Sequence, residues 1–464
     1  MTLNECIDSS FLKWGKNPCL VEFNPHNGYS SISASELRSR IQERTEQFRC
    51  WGIGKKFLVP VFINNSIEYV TILIALMNLG AVPVMVKLEY RKLELLDIFH
   101  NCRPQAVITE ETHLQFLKPF LTGIVVIARS GTRLRLLQGS QQRLQAIEIA
   151  DDIATVNYTY RGYGYPIGAL VPHRQYLHGA EVLQQGLQGK PGERMLVILP
   201  MSHIFTLVGC IVTPILFHMT TVIAQTIHPR MIFQCIRKCS IDYLTSVPQI
   251  YSLLLRLQEE SAYLSSLQAF VSGGSLLTAE DYRNITEGFA VELLHGYGLT
   301  ECTPVSRNIR GGAKAGTIGP VCDKIECRIN ASAGNNNGEI FIKSSYMSKA
   351  YLNRNWETRE VFEGDWFKTG DRGCFEGEHL IFLEEIKNTR KINGNIVDLK
   401  EVRKAILLDD QISEVDIQYQ NNSLSAYCGI SEKINFPSKV RELKNSLRGL
   451  VAEYKIPKTF NKLR

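Results

Sequence analysis

Leu294-His295-Gly296-Tyr297-Gly298-Leu299-Thr300-Glu301-Cys302-Thr303-Pro304 sets two glycines around an aromatic ring and then puts a hydroxyl directly beside a carboxylate. Glycine lets a ligand approach the backbone closely and tolerates positive φ. Tyr297 offers a flat face on which a heteroaromatic ring can stack. Thr300 can donate to an anionic oxygen, and Glu301 can hold a hard cation such as Mg²⁺ that bridges phosphates. One loop thus carries the parts of a nucleotide platform. Read alone, the same residues also describe a strand-to-turn connection with a solvated carboxylate.

The surrounding chain narrows the choice. At 464 residues it is too long for one ordinary core and predicts two or more domains. Its apolar fraction of 44% and charged fraction of 21% are those of a globular protein. A net charge of +6 is dilute over this length, and no basic run interleaves with aromatics, which argues against nucleic acid as a partner. The 12 cysteines are scattered, and neither close pair, Cys235/Cys239 nor Cys322/Cys327, has a companion at zinc-site spacing. They are expected to be reduced, mostly buried thiols of a cytoplasmic protein. The apolar stretches 67–86 and 195–227 are interrupted by polar residues, Gly and Pro, so no membrane span is expected.

Periodicity predicts a helix over 33–51, a strand over 57–63, a helix over 67–79 capped by Asn65-Ser66 and ended by Gly80, and a strand over 82–86. A helix over 91–100 and a strand over 105–109 repeat the unit, which is that of a parallel α/β sheet. Residues 241–247 read as a buried strand and 248–259 as a helix. Short alternating strands beyond Gly316 suggest a barrel-like subdomain.

Tyr297-Gly298-Leu299-Thr300-Glu301 resembles the Y-G-x-T-E core motif of the adenylate-forming superfamily, which holds acyl-CoA and aryl-CoA synthetases, peptide-synthetase adenylation domains and luciferases. The resemblance runs in order from about Phe57 to Lys458. Tyr158-Thr159-Tyr160-Arg161-Gly162-Tyr163-Gly164-Tyr165-Pro166-Ile167-Gly168 is similar to the family's phosphate loop, Y-T-S-G-T-T-G-x-P-K-G. Thr159, Gly164, Pro166 and Gly168 match. The hydroxyl positions carry Tyr160, Gly162 and Tyr163, and the lysine position carries Ile167, so the side-chain donors have gone and Arg161 alone could restore a positive charge. Leu199-Pro200-Met201-Ser202-His203-Ile204-Phe205 resembles the segment that gates the family's acyl pocket. Val271-Ser272-Gly273-Gly274-Ser275-Leu276 resembles its S-G-G-A-P-L strand end. Trp366-Phe367-Lys368-Thr369-Gly370-Asp371 resembles W-x-x-T-G-D, whose aspartate accepts both ribose hydroxyls. At the hinge, where the family has an Asp or Lys and then an Arg, stand Glu384 and Glu385. Lys387, Lys391, Gly394 and Val397 match the pattern beyond it, while the usual C-terminal catalytic lysine is expected to be absent, with Lys462 a poor substitute.

The resemblance implies an α/β fold: a large N-terminal domain of mixed α/β sheets with a barrel-like subdomain (1–384), and a small, shortened, mobile α+β C-terminal domain (385–464). It implies a divergent ATP-dependent acid–thiol ligase that activates a carboxylic acid as an acyl adenylate and passes it to CoA or to the phosphopantetheine of an acyl carrier protein. The alternative is a non-catalytic protein of the same fold that binds an acyl ligand, a carrier protein or a pathway enzyme. Thr300 and Glu301 are the candidate catalytic residues, with Glu301 the Mg²⁺ ligand. ATP or AMP is assigned to Thr159, Arg161, Gly164, Gly168, Gly273, Gly274, Tyr297, Thr300 and Asp371. The acyl group is assigned to His203, Phe205, Ser246 and Gly298, and the thiol or pantetheine side to Lys391 and Gly394.

Overall fold

The computed structural model describes residues 1–24, 28–139, 148–224, 228–257, 264–431 and 434–463. Two large sheets form its centre. One has seven strands in the spatial order Arg133–Gln138, Val125–Ser130, Ala106–Glu110, Leu58–Phe62, Val82–Met85, Ile153–Thr159 and Ile167–Pro172. The other has eight, in the order Ser306–Arg307, Glu292–Tyr297, Ala269–Ser272, Tyr243–Ser246, Arg194–Val197, Thr220–Ala224, Pro18–Asn24 and Gly28–Ser33. Six neighbouring strands of the second sheet, from Glu292–Tyr297 to Pro18–Asn24, run parallel. Their carboxyl ends therefore open on one side, where ligands bind in open α/β sheets.

Helices cover these sheets for local reasons that the sequence carries. Ala34–Cys50 starts at Ser33, whose hydroxyl accepts from Glu36 N–H (3.2 Å) while the Glu36 carboxylate returns to Ser33 N–H (2.9 Å). Ile67–Asn78 starts at Ser66, which accepts from Tyr69 N–H, and is buried on nearly every face. Its one acid, Glu68, meets Arg44 at 2.7 Å. This is why so apolar a run belongs to a protein core; among the described residues no helix is long and apolar enough to cross a membrane. The helix expected over 91–100 is Lys92–Cys102, and that expected over 248–259 is Pro248–Leu255, its last two expected residues lying outside the described ones.

The segment 195–227 resolves into more pieces than hydropathy suggests: the strand Arg194–Val197, a helix whose middle, Leu207–Val212, is a π-turn, and the strand Thr220–Ala224. The Thr213 hydroxyl bonds back to Val208 O (2.8 Å) at the end of that π-turn.

A five-stranded antiparallel sheet follows, built from Glu326–Asn330, Gly338–Lys343, Phe362–Glu363, Trp366–Glu376 and His379–Glu385. The C-terminal part then opens with the hairpin Thr389–Ile392/Asn395–Asp398. The helix Leu399–Ile406, the three-stranded sheet Ile412–Gln420, Ser423–Ile430 and Thr459–Lys462, and the helix Phe436–Leu450 enclose a core of their own around Val402, Val415 and Leu447. The expected α/β architecture, large part then small part, is the observed one.

Candidate active site

The carboxyl ends of the parallel strands, the phosphate-like loop and the C-terminal hairpin enclose a cavity of about 1200 Å³, counting its mouth. Tyr297 ends the strand Glu292–Tyr297, and Gly298, Thr300 and Glu301 follow it. Gly273 and Gly274 leave the strand Ala269–Ser272, and Thr159 ends Ile153–Thr159. His203 and Phe205 come from the connection after Arg194–Val197, and Lys391 and Gly394 from the hairpin. All of these line the one cavity, together with Arg161.

Four expected residues lie outside its lining. Gly168 sits in the strand Ile167–Pro172, where a Cβ would come 2.7 Å from Val156 Cγ1, so close packing of the sheet accounts for it. Gly164 is turned towards the C-terminal part. Asp371, fully buried, stands behind Tyr297. Ser246 faces away, and its neighbour Thr245 lines the cavity instead. In a strand adjacent residues point to opposite faces, so a one-residue slip exchanges them. The sequence reading also missed the deep wall: Leu183 and Gly186 of the helix His173–Leu187, Met195, and Gly209 in the π-turn. Only the apolar character of these stretches signals them.

The polar end of the cavity is a network. Tyr297 donates its hydroxyl to Asp371 Oδ2 (2.7 Å), and Lys387 Nζ lies 3.2 Å from Asp371 Oδ1. Burial works against the Asp371 charge, but Lys387, Lys391 and the Tyr297 hydroxyl outweigh it and hold the carboxyl below its usual range. His203 is pushed down to about 3 by burial and by Lys87 and Lys391, and accepts from Phe205 N–H at Nδ1 (3.3 Å). It is therefore a neutral imidazole in the wall.

Arg161 occupies the centre. Its guanidinium lies over the Phe367 ring at 4.8 Å and donates from Nη2 to Lys368 O (2.6 Å). Nη1 stands 3.6 Å from Glu301 Oε1. The same Glu301 oxygen accepts the Tyr351 hydroxyl. Burial disfavours the Arg161 charge, and Tyr351, Glu301 and Asp371 more than restore it, so its pKa is raised. A divalent cation on Glu301 would compete with that hydroxyl for Oε1 and, on either oxygen, would stand close to a guanidinium in a buried site, where like charges repel strongly. Glu301 as placed does not fit Mg²⁺.

The phosphate-like loop is held from the other side. Gly164 N–H donates to Asp398 Oδ2 (2.9 Å), the same carboxylate whose Oδ1 caps the helix Leu399–Ile406 through Lys400 N–H (2.9 Å). Tyr160 donates to Glu401 Oε1 (3.0 Å) and accepts from Lys455 Nζ (2.7 Å), and Lys455 also pairs with Glu94 (2.9 Å). Glu385, at the position of the family's hinge arginine, accepts from the Thr389 hydroxyl (3.1 Å) and lies 3.7 Å from Lys391. Lys462 is far from this chemistry, on the last strand with its ammonium over the Phe436 ring.

Against known proteins, the family described as AMP-binding enzyme matches residues 8–352. The chain belongs to this family of adenylate-forming enzymes. Among curated relatives, 4-coumarate–CoA ligase 1 of Arabidopsis thaliana is 23% identical over 456 residues, covering 90% of this chain and 80% of that protein. Among solved structures, the amide bond synthetase McbA from Marinactinospora thermotolerans aligns with a TM-score of 0.86 and 17% identity, over 100% of this chain and 96% of that one. A malonyl-CoA ligase, solved as a ternary product complex with methylmalonyl-CoA and AMP, aligns with a TM-score of 0.82 and 21% identity, over 97% of this chain and 96% of that one. At these identities the structural likeness speaks to the fold.

Proposed function

We propose that this family member is a divergent acid–thiol ligase of the cytoplasm, serving a biosynthetic pathway, whose better-equipped step is the second one. The observation that carries the reading is that Tyr297, Thr300 and Arg161 share one cavity with the apolar wall of Leu183, Met195 and Phe205, while Lys391 and Gly394 of the C-terminal hairpin close it. An adenylate could lie with its base against Tyr297, its phosphate towards Thr300 and Arg161, and its acyl group along the apolar wall, with Asp371 behind Tyr297 holding that ring.

In the first half-reaction a carboxylate oxygen attacks the α-phosphorus of ATP, the new O–P bond forms and pyrophosphate leaves. That step needs triphosphate neutralisation, and here two of the loop's donors are spent: Gly164 N–H is on Asp398 and the Tyr160 hydroxyl is between Glu401 and Lys455. In the second, a thiolate attacks the acyl carbon, the C–S bond forms, and AMP leaves with the electron pair of the broken C–O bond. The thiol proton goes to solvent. This step needs an oriented mixed anhydride and an incoming thiol more than it needs triphosphate donors. The hairpin position of Lys391 and Gly394 supports it. Coenzyme A or a pantetheinylated carrier protein would supply the thiol.

The test separates the steps. Pyrophosphate exchange into ATP is expected to be very slow with any acid, whereas a synthetic acyl adenylate supplied with coenzyme A or carrier protein is converted to thioester at a measurable rate. Titration calorimetry is expected to give tighter binding of AMP than of ATP. The engaged loop also favours the second reading, a non-catalytic acyl-binding protein; no turnover in either half-reaction by folded protein selects it. Brisk exchange with ATP would sink the account of the loop.

A further inference from the structure

The Arg161–Glu301 geometry has a chemical consequence that rests on the proposed nucleotide site. We infer that Arg161 takes the place of the divalent cation: the phosphate of a bound adenylate is met by a guanidinium carried on the chain, and Glu301 serves to hold that guanidinium.

Arg161 departs from the family's loop at a position flanked by lost hydroxyls, and it is the loop's one cation. Its head is fixed on three sides, by the Phe367 ring, the Lys368 carbonyl and the Glu301 carboxylate, so little rotamer freedom remains to be lost on binding. The separation from Glu301 is 3.6 Å, which holds charge against charge without consuming an N–H donor. Of five N–H groups on a guanidinium, one is engaged by Lys368 O among the described residues, which leaves the planar fork that suits phosphate oxygens. One Glu301 oxygen, Oε1, already accepts the Tyr351 hydroxyl, and a metal on either oxygen would face the Arg161 guanidinium.

The arrangement differs in kind from a metal site. Magnesium is recruited from solution together with the nucleotide, whereas Arg161 is in place before the ligand arrives. Its loss would remove the positive charge that faces Glu301 and open room beside the carboxylate. The variant Arg161→Ala should therefore create the cation site that the parent lacks.

The experiment uses the full chain with AMP as the probe. Calorimetry in EDTA and in excess Mg²⁺ is expected to give dissociation constants within about twofold of each other. Arg161→Ala is expected to weaken AMP binding in EDTA by about tenfold to a hundredfold, the range of a lost charge-assisted hydrogen bond. Mg²⁺ should recover part of that loss, and Arg161→Lys should retain part of it without Mg²⁺. Electron paramagnetic resonance with Mn²⁺ reads the metal itself. AMP-saturated parent should leave Mn²⁺ free, Arg161→Ala should take it up, and Arg161→Ala combined with Glu301→Gln should not. Stoichiometric Mn²⁺ uptake by the parent, abolished by Glu301→Gln, overturns the inference and leaves the nucleotide site standing. Absence of AMP binding to the parent in both buffers overturns the nucleotide site and the inference together. The parent comparison needs no variant to fold.

Discussion

At the residue scale, Asp371 is a buried group behind the cavity wall, where its motif implies one that faces the ligand. Both of its oxygens are engaged, by the Tyr297 hydroxyl and by Lys387, and Lys387 is itself nearly buried. Asp371→Asn is expected to destabilise the protein by about 3 kcal/mol in denaturant unfolding, because removing one partner strands a buried ammonium. Asp371→Asn with Lys387→Met should cost less than the sum of the two single changes, the sign that the pair is the unit. A fully additive double mutant would show that the two side chains do not depend on each other. The sequence makes Asp371 visible through its motif, but not Lys387 as its partner, because the two meet through the return of a strand pair and not through spacing. Arg161 is legible only as a charge on an unexpected residue. Its approach to Glu301 depends on the turn of the loop, and to Phe367 on a strand some 200 residues later. Ser246 and Thr245 show the opposite failure: the strand was legible and its register on the cavity was not.

At the scale of elements, regular periodicity carried the sheets and the helices Ala34–Cys50 and Ile67–Asn78, because capping and apolar repeat agree there. It did not carry the π-turn Leu207–Val212, whose extra residue leaves no mark in an unbroken apolar run, although Gly209 within it forms part of the cavity wall. The hairpin Thr389–Ile392/Asn395–Asp398 is the element on which the proposed thioester step depends. Gly394 lies at its turn with φ of 81°, and a Cβ there would come 2.7 Å from Val247 Cγ1. Gly394→Ala therefore meets both backbone strain and a contact that forces the hairpin off the cavity wall. Thioester formation from a supplied acyl adenylate is expected to fall by at least about tenfold, with AMP affinity changed far less. Val247→Ala in the same chain should restore part of the rate by removing the contact. An unchanged rate in Gly394→Ala would mean that the hairpin is not where the thiol enters.

At the scale of the whole molecule, the large and small parts meet through a buried cluster in which one ammonium serves two carboxylates. Lys455 lies between Glu94 and Glu401, with the Tyr160 hydroxyl between Lys455 and Glu401, and Ala452 N–H donates to Glu94 (2.8 Å). Tyr90 and Tyr454 pack beside it with their phenol pKa values raised by burial, so neither takes up the charge at ordinary pH. Residues more than 300 positions apart form this seam, and no local pattern in the sequence could announce it. We propose that residues from about Lys387 onward move as a small domain about Glu384–Glu385 and that this cluster is what holds the closed pose. Burial pushes the Glu401 carboxyl from 4.5 up to about 7, against the pull of Lys455. A carboxyl that binds its proton more tightly when docked stabilises the docked form fully below about 4.5. That contribution declines between 4.5 and about 7 and is absent at higher pH. Asp398, buried and also shifted upward, acts in the same direction. Hydrogen exchange of the hairpin amides, corrected for intrinsic rates, is therefore expected to show more protection at pH 6 than at pH 8. Glu401→Gln should flatten that difference, since an amide has no proton to lose in this range. Protection that rises with pH in the parent would mean that the Glu401 charge, and not its proton, holds the two parts together.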